Sequence, residues 1–208
     1  MEKKKIAILG STGSIGKNLI KIIDNDKQKF TIILLSANKD YKSLLKQAKK
    51  YKVKNLIITN KNSYKLLKKE TIRKNINIYN DFKNLNKIFK KRIDYTMSAI
   101  SGLEGLIPTL NIIKYTKEIA IANKESIICG WNLISNQLKL FKTKFIPVDS
   151  EHFSIWYGLY NNNNSIEKIY LTASGGPFNN LPLNKFKNIN ISQALKHPNW
   201  KMGKKISI

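Results

Sequence analysis

Along most of the chain, apolar runs of strand length alternate with longer stretches in which apolar residues return every three or four positions. That alternation is the pattern of a parallel sheet joined by crossover helices. The first unit is the clearest: Lys5 to Leu9 reads as a buried strand, and Ser14 to Ile23 as a helix with Ile15, Leu19, Ile20 and Ile23 on one face. Phe30 to Leu35 follows as a second strand. Further strands are predicted at Asn55 to Ile58, Asn75 to Tyr79, Tyr95 to Met97, Glu118 to Ala122 and Phe145 to Val148. Helices are predicted at Tyr41 to Tyr51, Ser63 to Lys69, Leu103 to Ile113 and Glu125 to Phe141. From about Asp149 the texture changes to a short helix ending at Tyr160, the polar run Asn161 to Ser165, a strand at Lys168 to Thr172, and a turn rich in glycine and proline. The pattern therefore predicts one α/β domain over residues 1–148 and the start of a second, α+β domain over residues 149–208.

Composition narrows the classes. With 42% apolar and 10% aromatic residues, the chain is too hydrophobic to stay disordered. No stretch approaches the roughly 18 to 20 apolar residues that span a bilayer, and MEKKKIAILG passes straight into a strand without a signal core. A cytoplasmic protein with no membrane partner is expected. One cysteine, Cys129, excludes an internal disulfide and a multi-cysteine metal site. The net charge of +25 invites a nucleic-acid partner, but of 38 basic residues only Arg73 and Arg92 are arginine, the residue suited to bidentate phosphate and base contacts. Lysine spread through nearly every segment reads as a solvated surface, so no nucleic-acid partner is expected.

Between the first strand and the first helix stands GSTGSIG, with Gly10, Gly13 and Gly16 three residues apart. Glycine there lets the chain turn sharply, bring its amides against a diphosphate and pack the helix closely on the sheet, with the helix N-terminus facing the anion. In that context the domain is Rossmann-like and binds a dinucleotide. At the end of the second strand an NAD site usually carries Asp or Glu for the ribose 2′-hydroxyl. Here LLSANKD presents Ala37, Asn38 and Lys39 instead, an amide and a cation that suit a 2′-phosphate, so NADPH is the expected cofactor. Asp40 reads as the cap of the next helix.

Asp149-Ser150-Glu151 follows the strand FIPV, where a parallel sheet presents residues to ligand. Two carboxylates at this spacing fit a hard divalent cation, and they fit equally a helix N-cap with an acid in its first turn. Gly175-Gly176-Pro177 after Ser174 is either a plain turn or an oxyanion-binding one. HPNWKMG, His197 to Gly203, suits either a mobile cover over a charged substrate or a loop anchored by a buried Trp200.

Taken in order, GSTGSIG, ANKES, PVDSEHFSIW, LTASGGPF and HPNWKMGKKIS closely resemble the 1-deoxy-D-xylulose 5-phosphate reductoisomerase family of the non-mevalonate isoprenoid pathway. The resemblance runs from Lys4 to the last residue and is least distinctive between Lys39 and Tyr95. It implies an enzyme that rearranges its phosphosugar substrate on Mg²⁺ or Mn²⁺ and reduces the resulting aldehyde with NADPH to 2-C-methyl-D-erythritol 4-phosphate. It also implies that Thr12, Gly13, Ser14 and Ile15 hold the cofactor diphosphate, that Ala37, Asn38 and Lys39 lie near the adenosine ribose, and that Asn123, Glu125 and Gly203 contact NADPH. Many relatives have glycine where Ala37 stands. By the same resemblance Asp149 and Glu151 ligate the metal, Lys124, Ser150, Ser174 and His197 contact substrate, and Trp200 belongs to a flap over it.

The family pattern continues beyond KKIS into a segment that supplies another serine, an asparagine, a lysine and a third metal carboxylate. The expectation for these 208 residues alone is therefore NADPH binding with slow turnover or none, and a homodimer if full length. Two alternatives stand beside it: an NADPH-binding remnant without catalysis, and a basic protein that binds nucleotides or polyanions. A thiol-dependent semialdehyde dehydrogenase would need Cys129, whose setting in SIICGW reads as buried helix.

Overall fold

The structure is a computed structural model that describes residues 2–72, 75–160, 165–171 and 175–198. The chain divides into two compact units, Met1–Asn161 and Asn162–Ile208. In the first, seven parallel strands form one sheet: β1 (Lys4–Leu9), β2 (Phe30–Ala37), β3 (Asn55–Ile58), β4 (Asn77–Tyr79), β5 (Ile93–Ser98), β6 (Thr116–Ile121) and β7 (Lys144–Pro147). They lie in the order β4-β3-β2-β1-β5-β6-β7. The chain builds outward from β1 in one direction, then returns to its other side, so the order reverses between β1 and β5. The connecting helices are α1 (Ser14–Asn25), α2 (Tyr41–Tyr51), α3 (Lys61–Thr71), α4 (Leu85–Ile88), α5 (Leu106–Ile113) and α6 (Lys124–Leu140), with α7 (Ser150–Leu159) after β7.

Alternation along the strands divides the core in two. Ile6 and Ile8 of β1 pack with Ile20, Ile23, Leu44 and Leu45 of α1 and α2, while Ala7 and Leu9 pack with Ile112, Ile113, Ile127 and Ile134 of α5 and α6. A parallel sheet covered on both faces needs apolar residues at successive positions, which is why these strands read as short continuous runs. β2 carries an irregularity the sequence does not announce. Its pairing with β1 steps from Ile6 opposite Ile32 to Ala7 opposite Leu34, leaving Ile33 as an extra residue. Ile33 and Leu34 therefore lie on the same side of the sheet, and the Asn55 side-chain amide donates to the Ile33 carbonyl at 3.1 Å.

The differences from expectation are local. The predicted helix from Leu103 opens with one 3₁₀ turn, Leu103–Gly105, before α5, α4 is additional, β4 begins at Asn77 rather than Asn75, and Cys129 in α6 is exposed where its apolar neighbours predict burial. Over 168–171, where a strand is predicted, the backbone has no regular structure. A strand is held by the ladder of a neighbour, and among the described residues none pairs with this segment. The second unit also contains a turn with Gly175 and Gly176 at positive φ, a 3₁₀ helix at Leu183–Asn188 and a short helix α8 (Ile191–Ala194), closed by a capping box between Asn190 and Gln193. Phe178 and Phe186 bring their rings to 6.1 Å within it. No helix among the described residues is long and apolar enough to cross a membrane.

Candidate functional site

At the C-terminal edge of the sheet, where the strand order reverses, a crevice of about 1060 Å³ opens over β1. Its floor is the glycine turn, with Gly10, Thr12 and Gly13; one wall is Ser36 to Lys39 at the end of β2 and Thr59 to Asn62 after β3; the other is Ala99 to Ser101 after β5, with Glu104. Gly10 has φ +79°, and a Cβ there would stand 2.6 Å from the Ala99 carbonyl oxygen, so only glycine admits this close turn. Gly16 plays the packing part: a Cβ there would overlap the Gly10 carbonyl and the Ser11 backbone.

The turn is pinned to β2 by buried polar atoms. The Ser36 hydroxyl accepts from the Gly10 amide at 3.0 Å, and the Ser36 carbonyl accepts from the Ser11 amide at 2.8 Å. Ser11 and Ser36 are 0% and 1% exposed. A contrast among the helices then marks the anion end. The four other helices of ten or more described residues, α2, α3, α6 and α7, each carry an N-cap side chain that accepts an amide of the first turn, from Asp40, Asn60, Asn123 and Asp149. At α1 the N-cap is Gly13, with no side-chain bond and no acid in the first turn. Its leading amides at Ser14, Ile15 and Gly16 are left for an external acceptor, and the helix dipole favours an anion there.

Asp40 caps α2 by accepting from the Ser43 amide at 3.0 Å, and its carboxyl sits below the usual range first because of the Ser43 side-chain hydroxyl and second because of that amide. Lys39, on the crevice side, keeps its ammonium in solvent while its carbonyl accepts from Ser63 at 2.8 Å. The wall residues Thr59, Asn60, Lys61, Asn62 and Glu104 are not signalled by sequence, because they converge only through the strand order.

Asn123 is 3% exposed and fully engaged. Its side-chain amide donates to the carbonyls of Ile100 at 2.5 Å and Gly102 at 2.6 Å, and its oxygen accepts from the Ser126 amide at 3.0 Å. It ties the loop after β5 to the start of α6, where Lys124 and Glu125 follow. Asp149 does two things at once. One carboxylate oxygen caps α7, accepting from the His152 amide at 3.1 Å and lying 2.6 Å from His152 Nδ1; the other is buried without a hydrogen-bond partner among the described residues. An orphaned carboxylate oxygen on a half-satisfied cap suits a hard cation. Glu151 accepts from the Ser150 hydroxyl at 3.0 Å. No group of three or more acidic, histidine or cysteine residues gathers among the described residues to hold a metal. His197 belongs to the second unit; Ser174, Trp200 and Gly203 lie outside the described residues.

A second cleft, of about 490 Å³, lies at the opposite edge of the sheet and is lined by Lys3, Lys4, Lys5, Lys90, Lys91, Arg92 and Lys117 with Glu2 and Asp94. Three of these cations are engaged within the protein: Arg92 with the Thr116 carbonyl at 2.5 Å, Lys117 with Asp94 at 2.8 Å and Lys5 with Glu2 at 3.3 Å.

A seven-stranded parallel sheet reversing at β1, a glycine turn in close backbone contact, and an uncapped helix facing a crevice define a dinucleotide-binding protein of the doubly wound α/β class. Residues 6–130 match the family described as 1-deoxy-D-xylulose 5-phosphate reductoisomerase, and residues 145–208 match its C-terminal domain. The chain belongs to this family. It is 62% identical over 208 residues to the reductoisomerase of Pelagibacter ubique (strain HTCC1062), covering 99% of this chain and 54% of that protein. Against the corresponding enzyme of Wolbachia pipientis subsp. Culex pipiens it is 42% identical, covering 99% of this chain and 53% of that one. The solved reductoisomerase from Zymomonas mobilis in complex with NADPH superposes with a TM-score of 0.85 at 31% identity, covering 95% of this chain and 52% of that one. A reductoisomerase complex with NADPH, fosmidomycin and magnesium gives a TM-score of 0.78 at 29% identity over 98% of this chain and 53% of that one. The chain spans about half the length of the relatives it matches.

Proposed function

We propose that this chain forms the NADPH-binding domain and the opening of the catalytic domain of a reductoisomerase that converts 1-deoxy-D-xylulose 5-phosphate to 2-C-methyl-D-erythritol 4-phosphate. The observation that carries the reading is the uncapped N-terminus of α1 above the pinned glycine turn. Thr12, Gly13, Ser14 and Ile15 hold the cofactor diphosphate, with Gly10 and Gly16 allowing the approach. Ala37, Asn38 and Lys39 receive the adenosine end, Lys39 meeting the 2′-phosphate as a cation where an acid would repel it. Asn123 acts on the cofactor through the loop it braces, with Glu125 and Gly203 as further contacts.

The orphaned oxygen of Asp149 and the carboxylate of Glu151 are the ligands this chain offers to Mg²⁺ or Mn²⁺. When bound, the cation polarises substrate oxygens and NADPH supplies the hydride. Capping α7 with the other oxygen fixes the Asp149 rotamer, so the ligand is preorganised. In this reading Ser150, between the two carboxylates in the sequence, and Lys124, at the start of α6, orient the phosphosugar, with Ser174 and His197 as further substrate contacts and Trp200 as the cover that excludes water. The reading carries a cytoplasmic setting, the compartment of NADPH and sugar phosphates, and a homodimer.

Titration of the chain with NADPH and with NADH tests it. NADPH should bind at least about tenfold more tightly, the worth of one charge-assisted contact to the 2′-phosphate, and Mn²⁺ binding should weaken in Asp149→Asn. Failure to bind either nucleotide would overturn it.

A further inference from the structure

The glycine turn is held from a third side by a residue of α2 that carries no role in the reading above. Gln47 donates from Nε2 to the Ser11 carbonyl at 3.0 Å, and its Oε1 accepts from the Ser11 hydroxyl at 2.8 Å. The hydroxyl has one proton, and this contact is shorter than its 3.2 Å approach to the Ser36 carbonyl, which the Ser11 amide already occupies. One side-chain amide thus grips both polar groups that Ser11 has left.

A trans peptide points its carbonyl and its N–H in opposite directions. The carbonyl of Ser11 and the amide of Thr12 share one peptide plane, so fixing the first toward α2 fixes the second toward the crevice. The Thr12 amide has no hydrogen-bond partner among the described residues, and Thr12 lines the crevice floor. Were the plane to turn over, a carbonyl oxygen would face the cofactor anion and the donor would be lost.

We propose that Gln47 is a positioning residue of the cofactor site: by holding the Ser11 carbonyl on the far side of the peptide, it aims the Thr12 amide at the diphosphate. The proposal rests on reading the crevice as an NADPH site. It assigns Gln47 to a part of the cofactor that the phosphorylated and unphosphorylated nicotinamide dinucleotides have in common.

The test titrates the chain and two variants, Gln47→Leu and Gln47→Glu, with NADP⁺ and NAD⁺, alongside thermal melting. Gln47→Leu should weaken both dinucleotides by the same factor, about tenfold for one hydrogen bond to a charged group, leaving their ratio unchanged. Gln47→Glu adds a readout that a purely structural role would not move. As a carboxylate it repels the Ser11 carbonyl, and as a neutral acid it regains a donor. Its deficit relative to the unsubstituted chain should be large at pH 8 and shrink as the pH falls toward about 5, approaching the ordinary carboxyl range. Unchanged affinity in Gln47→Leu, a loss confined to NADP⁺, or a pH-independent deficit in Gln47→Glu would each overturn the proposal. If the unsubstituted chain itself binds neither dinucleotide, the NADPH reading has failed and this inference falls with it.

Discussion

The two open edges of the sheet handle charge in opposite ways. At the C-terminal edge the crevice has few cations, Lys39 and Lys61, and in the proposed function it would meet an anion with the backbone amides of a turn held by Ser11, Ser36 and Gln47. At the N-terminal edge seven cations crowd a smaller cleft, yet three are engaged within the protein and the rest are lysines on long, solvated stems. An ammonium on a flexible chain loses side-chain entropy whenever it is held in one place, whereas an amide already fixed by the fold loses none. On the proposed reading, then, charge density does not locate the cofactor in this lysine-rich chain; fixed backbone donors do.

The strongest way to break this comparison is to fill the turn. Gly10→Val forces a β-branched residue to φ +79° and against the Ala99 carbonyl, and NADPH affinity should fall by about 100-fold or more from combined strain and displacement. Retained binding by fluorescence titration would show that the backbone is not the anion site. Exchanging Lys3, Lys90 and Lys91 together for glutamine sharpens it from the other side. NADPH affinity should change by less than about twofold at 0.15 M salt, since screening acts over about 8 Å, while retention on heparin should fall. A marked loss of cofactor affinity would make the basic edge part of the site.

The smallest effect concerns Asp94 at that basic edge. Its carboxyl lies below its ordinary value because Lys117 donates to it, with the Lys5 amide as the second cause. A carboxyl depressed in the folded state contributes stability that is complete above its unfolded pKa, near 4, and is lost as the pH falls through the lower folded value. Asp94→Asn should lower the melting temperature at pH 7 by about 1–2 °C, as for an exposed pair. That difference should shrink as the pH falls below about 4 and vanish once Asp94 is protonated in the folded state as well, and a difference that does not shrink on acidification would mean the pair is not its source.

What the sequence could say of this molecule depended on how local each signal was. Seven strands and the glycine turn were legible because each is written in one run of residues, and the Asp40 cap because it immediately precedes its helix. The β2 bulge was hidden because Ile32, Ile33, Leu34 and Leu35 are all apolar, and an unbroken apolar run conceals its own phase. Gln47 was hidden for a different reason: its partner lies 36 residues away, and nothing in KQAKK marks one residue as facing the turn. Asp149 offered two readings at the sequence level, a cap and a ligand, and the geometry makes them compatible, with one oxygen for each.

The extra residue in β2 also bears on how this scaffold tolerates rearrangement. Beyond Ile33 every side chain of the strand is carried to the face opposite the one a regular ladder would give it. That phase puts the Ser36 hydroxyl under the Gly10 amide and Ala37 among the helices. A loop grafted from a sheet without the bulge would arrive half a repeat out of step, with the residues that correspond to Ser36 and Ala37 on exchanged faces. Exchange of cofactor-reading loops with such relatives therefore succeeds only when the bulge, with Asn55 holding its carbonyl, is moved as one piece with them.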